Sequence, residues 1–330
     1  MSTNMTSPAG TADIALPASS VARGGLQQTL VTLVRREFWE HRYLWIAPLA
    51  TAALLVVLAL FARHGHVRID AGDVADMAFS ARQKLAVSTI AQGAVFMALE
   101  LVMGFVVSFY LIDCLYAERR DRSIYFWKSM PVSDGLTVAS KVLVAMLVVP
   151  LGVWLLGAVT HVLISVVVAA YSAIGQLPPH LVAWNTLTWL RVELLLLLGL
   201  ILGVLWNAPI SGYFLLVSVL ARRNAVMWAL GIPIVVPVLE RVVLGTHYLW
   251  TFIAYRIHGI WNVLANYGNI NFITGQAGDG GGHHMQPIDV LLGELNFRGA
   301  FLSADLWLGV IAAAAMIYAA TRIRRYRDDT

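Results

Sequence analysis

The chain has 330 residues, of which 59% are hydrophobic and only 13% charged, and its mean hydropathy is +0.72. Soluble domains carry about a quarter charged residues, so a soluble globular protein is excluded and an integral membrane protein is expected. The net charge of +4 is too small to argue for nucleic acid, and the single cysteine, Cys114, leaves neither an internal disulfide nor a cysteine-based metal site.

Residues 1–25 are rich in Ser, Thr, Ala, Gly and Pro and lack a basic start followed by an apolar core. They read as a disordered cytoplasmic tail kept in the mature protein. From Leu26 the spacing changes. Leu26, Leu30, Leu33, Val34 and Phe38 fall on one helical stripe, with Arg35, Arg36, Glu40 and Arg42 off it. That pattern predicts an amphipathic helix lying along the inner membrane surface.

Six apolar runs follow, at 43–61, 90–112, 142–170, 192–220, 226–244 and 305–321. Each is long enough for a bilayer core about 30 Å thick. The third is long for one crossing and is expected to tilt or to extend beyond the bilayer. In the fourth, Pro209 forbids a regular hydrogen bond and Gly212 allows a neighbour to approach, which predicts a kink. Pro233 and Pro237 predict that the fifth bends or is re-entrant. The polar stretch 63–84 and the Pro178–Pro179 turn are assigned outside. So is residues 246–304, a Trp- and Tyr-rich amphipathic segment followed by a Gly-rich loop.

The longest polar interruption between the early spans is 118–141, ERRDRSIYFWKSMPVSDGLTVASK. Its Arg119, Arg120, Arg122 and Lys128 place it inside, because Lys and Arg resist translocation. The same rule puts both termini inside, since that orientation faces the majority of the 23 Lys and Arg to the cytoplasm. Ile124, Tyr125, Phe126 and Trp127 leave two readings open. They form an apolar tip for a groove on another protein, or they lie in the headgroup layer. Pro131 breaks the segment, and Ser133 is placed to cap the next helix.

No GxxxxGK[ST] and no Gly-Lys dipeptide occurs. The chain therefore lacks a nucleotide-hydrolysing cradle, and its energy must come from a partner or a gradient. Glu100 sits inside the second span, where a carboxylate costs on the order of 3 kcal/mol. It is either a pathway or proton-coupling group or one side of an interhelical hydrogen bond. Asp113 lies at that span's inner end. Glu240 beside Arg241, and Arg191 near Glu193, read as anchors at span ends, with Glu240 kept as a second candidate pathway residue. Neither His64 with His66 nor His283 with His284 and Met285 has further ligands at metal-site spacing. The spans hold few polar side chains, which leans toward an amphiphilic, lipid-like or drug-like cargo. A gradient-driven transporter using Glu100 or Glu240 is the alternative, and an intramembrane enzyme, for which no catalytic constellation is visible, ranks below it.

Three passages, LVRREFWEHRYLWIAPL at 33–49, the 118–141 stretch, and 205–248, together resemble the membrane subunits of ABC-2 type transporters, in a bacterial permease group of unassigned substrate. The likeness runs over about residues 27–248. It implies an all-α membrane domain over 26–330 with six transmembrane helices, a coupling loop at 114–141, and short outer helices between the fifth and sixth spans. The amphipathic helix at 26–42 would be the family's connecting helix. The segment from Glu118 to Ser133 would be the coupling helix that docks on a separate ATPase, with Glu118, Arg119, Arg120, Ser123, Ile124, Tyr125, Phe126, Trp127, Lys128 and Pro131 at the contact. Arg122 stands where many of that family carry glycine. ATP and Mg²⁺ would be bound by that partner, with no cofactor in this chain. The resemblance further implies a second permease copy or a related permease about a two-fold axis, in the inner membrane of a bacterium; the lean toward export comes from the apolar spans themselves.

Overall fold

The computed structural model describes residues 21–61, 81–129, 132–175, 184–264 and 297–326. The expected tail before residue 21, the Pro178–Pro179 turn, Pro131, the two histidine pairs and the Gly-rich loop lie outside them. Among the described residues every regular element is helical. The elements are α1 (Val21–Glu40), α2 (Tyr43–Phe61), α3 (Ala81–Arg120), α4 (Ile124–Ser129), α5 (Asp134–Leu143), α6 (Val149–Ala173), α7 (Thr186–Trp206), α8 (Ala208–Leu220), α9 (Ala225–Leu244), α10 (Tyr248–Leu264), α11 (Phe297–Leu302) and α12 (Ala304–Tyr326). One wider turn, Val144–Val148, joins α5 to α6 without breaking the rod. Six helical stretches are long and apolar enough to cross a membrane: α2, Ser88–Arg120, Asp134–Ala173, α7, α9 and α12. The protein is a multi-pass membrane protein by the length and composition of its helices.

The first span keeps the limits that its apolar run dictates, but the next two outgrow theirs. α3 has 40 residues, about 60 Å at 1.5 Å per residue, twice the apolar thickness it has to cross. Its last turns, with the start of α5, carry the charged residues described below. Ser133 caps α5 as expected, its side chain accepting from the Leu136 amide. α1 begins at Val21, five residues before the apolar stripe does, because Val21–Gly25 add helix without adding to the stripe.

The fourth run breaks at Asn207, between α7 and α8, with Pro209 in the first turn of α8 where its missing N–H does no harm. Gly212 then lies against α12, and a Cβ there would sit 3.2 Å from the Ala313 backbone. This close approach is what a small-residue helix contact in a membrane requires. Pro233 and Pro237, by contrast, both lie within one assigned helix, α9, which ends at Gly245 in the left-handed conformation, φ 69°.

The core forms where α2, α3, α6 and α8 meet, around Leu99, Tyr110, Leu111, Leu115, Val149, Val153 and Leu215. A second cluster, Leu202, Trp206, Ala300 and Leu306, holds α10 and α11 against α7 and the start of α12. Trp206 Nε1 donates to the Arg256 carbonyl at 2.8 Å, the Arg256 guanidinium lies 4.8 Å over the Trp206 ring, and Tyr255 donates to Asp305 at 2.6 Å. α9 presents most of its apolar side chains outward, Val235, Val238, Leu239 and Val242 among them.

Candidate functional site

Charge collects at one end of the bundle, at the root of the 121–133 segment. Glu37 occupies an apolar stripe position of α1, with Leu33 and Val34 one turn before it and Phe38 next to it, so the helix that buries the stripe buries the carboxylate too. Tyr110 and Glu118, eight residues apart, share one face of α3, and Asp134 and Lys141, seven apart, share one face of α5. Arg324 comes from the last turn of α12. Glu37 and Lys141 are both 0% exposed.

The geometry is a chain of short ion pairs. Lys141 Nζ lies 2.8 Å from Glu37 Oε1 and 3.1 Å from Glu118 Oε1. Glu118 Oε2 takes Arg324 Nη2 at 2.7 Å, and the same guanidinium reaches Asp134 Oδ1 at 2.9 Å. Arg36 Nη2 approaches Glu118 Oε1 at 3.2 Å, and Tyr110 donates to Glu37 Oε2 at 2.9 Å. Three cations, Arg36, Lys141 and Arg324, thus meet three carboxylates inside the bundle, Glu37, Glu118 and Asp134, with the exposed Glu40 on Arg36 as a fourth. Burial alone would lower the Arg36 pKa, but the hydrogen bond and charge of Glu40, with Glu37 and Glu118 behind it, outweigh that and raise it. Burial lowers the pKa of His41, which packs edge-on against Tyr110 with ring centroids 5.0 Å apart.

Glu37, Glu40 and His41 bring ligand atoms within 4.8 Å of one another. Their oxygens are already engaged: Glu37 by Lys141 and Tyr110, Glu40 by Arg36 at 2.7 Å. A dication there would have to displace cations that already balance the charge. The arrangement serves mechanics better than chemistry, clamping α1, α3, α5 and α12 together.

The residues expected to meet a partner divide between inside and outside. Glu118 is buried in the clamp. Arg119 turns inward and donates to the Ser218 and Ala221 carbonyls at 2.6 and 3.0 Å, closing the end of α8. Ser123 donates to the Glu118 carbonyl at 3.3 Å, which tightens the turn. Ile124 is buried at 5% exposure. These four, expected at a partner contact, spend their side chains inside this chain, because the α3 end and the turn need them to stay closed. Arg120, paired with Asp121 at 3.0 Å, and Tyr125 are exposed. Phe126, Trp127 and Lys128 belong to α4, but their side chains, like Pro131, lie outside the described set. The short helix itself covers Ile124–Ser129, and Glu118–Arg120 belong to α3 instead. Arg122 takes φ 58°, the left-handed conformation that glycine adopts without penalty.

The two pathway candidates also separate. Glu240 is a cap: its carboxylate accepts from Thr246 Oγ1 at 2.7 Å and from the Tyr248 and Leu249 amides at 2.8 and 2.9 Å, which fixes the start of α10. That local duty accounts for its position at the span end. Glu100 has Oε1 buried with no hydrogen-bond partner among the described residues. At the opposite end of the bundle from the clamp, Glu193 accepts from Gln92 at 2.7 Å beside the Trp189–His161 hydrogen bond of 3.2 Å.

Reasoning from sequence singled out Glu118 and missed Arg36, Glu37, Tyr110, Asp134, Lys141 and Arg324 as members of the cluster. A carboxylate in the middle of an apolar stripe is the signal that could have found Glu37; the others are ordinary span-end residues until the helices are placed. No family model, no characterised protein and no solved structure matches this chain.

Proposed function

We propose that this chain is the membrane subunit of an ATP-driven transporter of the ABC-2 type, exporting an amphiphilic, lipid-like or drug-like cargo, with a separate ATPase docking on the α4 segment. The observation that carries the reading is the clamp at the root of that segment. α4 projects between two membrane-crossing helices, and the buried pairs Glu118–Lys141, Glu118–Arg324 and Lys141–Glu37 tie its base to α1 and α12. A push on α4 therefore moves four helices together, which is what a coupling element needs for a rigid-body switch. In this reading the clamp end is cytoplasmic, α1 is the connecting helix, and α10 and α11 are the re-entrant outer elements. The exposed apolar face of α9 meets a second copy or a related permease about a two-fold axis. ATP and Mg²⁺ belong to the ATPase.

The test is affinity purification of the tagged full-length chain from its native host in mild detergent, beside a variant carrying Tyr125→Ala, Phe126→Ala and Trp127→Ala. A soluble ATPase should accompany the wild type and be lost from the variant while the membrane protein stays monodisperse. Absence of an ATPase, or equal recovery with both, refutes the docking assignment. One observation favours a gradient-driven transporter instead, namely a Glu100 oxygen inside a span with no hydrogen-bond partner among the described residues. Cargo movement that persists without an ATPase and stops in Glu100→Gln would establish that alternative.

A further inference from the structure

A groove runs along the surface between α5, the Val144–Val148 turn and α12. Its inner part, about 340 Å³, is lined by Val138, Ala139, Val142, Leu143, Met146 and Ile317. These residues belong to two of the membrane-crossing stretches, Asp134–Ala173 and Ala304–Tyr326. At Gly135 and Thr321 the groove continues into a polar mouth of about 440 Å³ bordered by Ser133, Asp134, Arg322 and Arg325. Gly135 keeps the passage open, because its nearest facing atom is Thr321 Cγ2, 4.0 Å from where a Cβ would stand.

The two ends differ in charge as sharply as in polarity. Asp134, the carboxylate bordering the mouth, is engaged by Arg324 at 2.9 Å. Arg322 and Arg325 form no ion pair among the described residues and are exposed. Arg322 Nε donates to Tyr318 one turn deeper, and Arg325 lies over the Tyr326 ring at 5.9 Å. Two guanidinium groups with no carboxylate partner among the described residues therefore stand at the end of an apolar trough between two spanning helices. A trough for hydrocarbon topped by paired cations is complementary to one molecule of the surrounding bilayer, a lipid with acyl chains and an anionic headgroup.

We propose that this groove binds an anionic glycerophospholipid, with a chain along Ala139 and Met146 and the phosphate at Arg322 and Arg325. Its position gives the site a consequence. The lipid would touch α5 and α12 directly beside the Asp134–Arg324 pair, and so would tighten or loosen the clamp beneath α4. The inference needs only the membrane-crossing helices and stands apart from the ATPase reading, since its test involves no nucleotide and no partner protein.

The experiment is native mass spectrometry of the purified full-length chain titrated with dioleoylphosphatidylglycerol or dioleoylphosphatidylcholine. Each arginine near an anionic headgroup is worth about fivefold, so the wild type should retain the anionic lipid about thirtyfold better than the zwitterionic one. The Arg322→Gln, Arg325→Gln double variant should bring that preference to about threefold or less. Ala139→Trp fills the apolar trough without changing any charge, and should lower occupancy by the anionic lipid while the helical circular dichroism stays unchanged. Equal retention of the two lipids by the wild type, an undiminished preference in the double variant, or unaltered occupancy in Ala139→Trp each overturns the proposal. So does efficient disulfide crosslinking between copies through Ala139→Cys, which would show that a second chain covers the groove.

Discussion

Replacing Lys141 by methionine keeps the length of the side chain and removes its charge, and the structure sets what that should do. The ammonium lies 2.8 Å from Glu37 and 3.1 Å from Glu118 at full burial. Without it the cluster loses one of its three cations while keeping every carboxylate. Glu118 keeps Arg324 at 2.7 Å and Arg36 at 3.2 Å, so it stays compensated. Glu37 keeps the Tyr110 hydroxyl, His41 Nε2 at 3.7 Å and an Arg36 contact at 3.9 Å, so it becomes a buried carboxylate with no close counter-charge. Stranding a buried charge in this way costs about 3–5 kcal/mol. At roughly 2 °C per kcal/mol for a chain of this size, the unfolding midpoint should fall by about 6–10 °C.

The second half of the prediction separates the charge effect from simple loss of packing. Glu37→Leu in the Lys141→Met background removes the stranded carboxylate, so the double variant should recover about 2 kcal/mol relative to the sum of the single losses. The chain's 11 tryptophans make intrinsic fluorescence a suitable probe of a thermal scan in detergent. Arg120→Ala serves as the exposed control, where the Asp121 pair should contribute about 0.5 kcal/mol or less. Lys141→Met within about 1 kcal/mol of wild type, or strictly additive losses for the pair, would refute the clamp as a unit.

Arg122→Gly should raise the midpoint slightly, by about 1 kcal/mol of relieved left-handed strain, while Arg122→Val should lower it; the same thermal scan reads both. Gly212→Leu should destabilise by about 1–3 kcal/mol, because its side chain meets the Ala313 backbone and cannot be accommodated without parting α8 from α12. Glu240→Gln should weaken the cap on α10, read as faster hydrogen exchange at the Tyr248 and Leu249 amides. If Glu240 instead belongs to a transport pathway, exchange stays unchanged and only cargo movement falls. His41 sets a pH dependence: burial lowers its folded pKa below the ordinary 6.5, so the unfolded chain takes up the proton more readily. Stability from this residue is complete above pH 6.5 and is lost as pH falls toward the folded value, and His41→Phe should flatten that slope in midpoints measured between pH 5 and 7.

Helix number and most helix positions were legible in the chain itself, because spanning a bilayer demands a run of apolar residues of set length whatever the neighbours are. Local chemistry carried equally well: Ser133 caps its helix, Pro209 with Asn207 breaks the fourth run, and Gly212 accepts a helix backbone. These depend on a few adjacent residues and on backbone sterics. The ends of α3 and α5 were less legible, since a helix that leaves the hydrocarbon turns polar without ceasing to be helical. The clamp was not legible. Glu37, Glu118, Lys141 and Arg324 come from four helices, and the Glu118–Arg324 pair alone joins residues 206 positions apart along the chain. Apart from Glu37, which interrupts an apolar stripe, each alone reads as an ordinary charge near a span end, where water or headgroups would satisfy it. Only the packing of α1, α3, α5 and α12 removes that water, and once it is gone the charges have to satisfy one another. Composition and period thus determined that this protein crosses the membrane and roughly where, while tertiary structure alone decided which of its charges are buried and therefore which of them act as one.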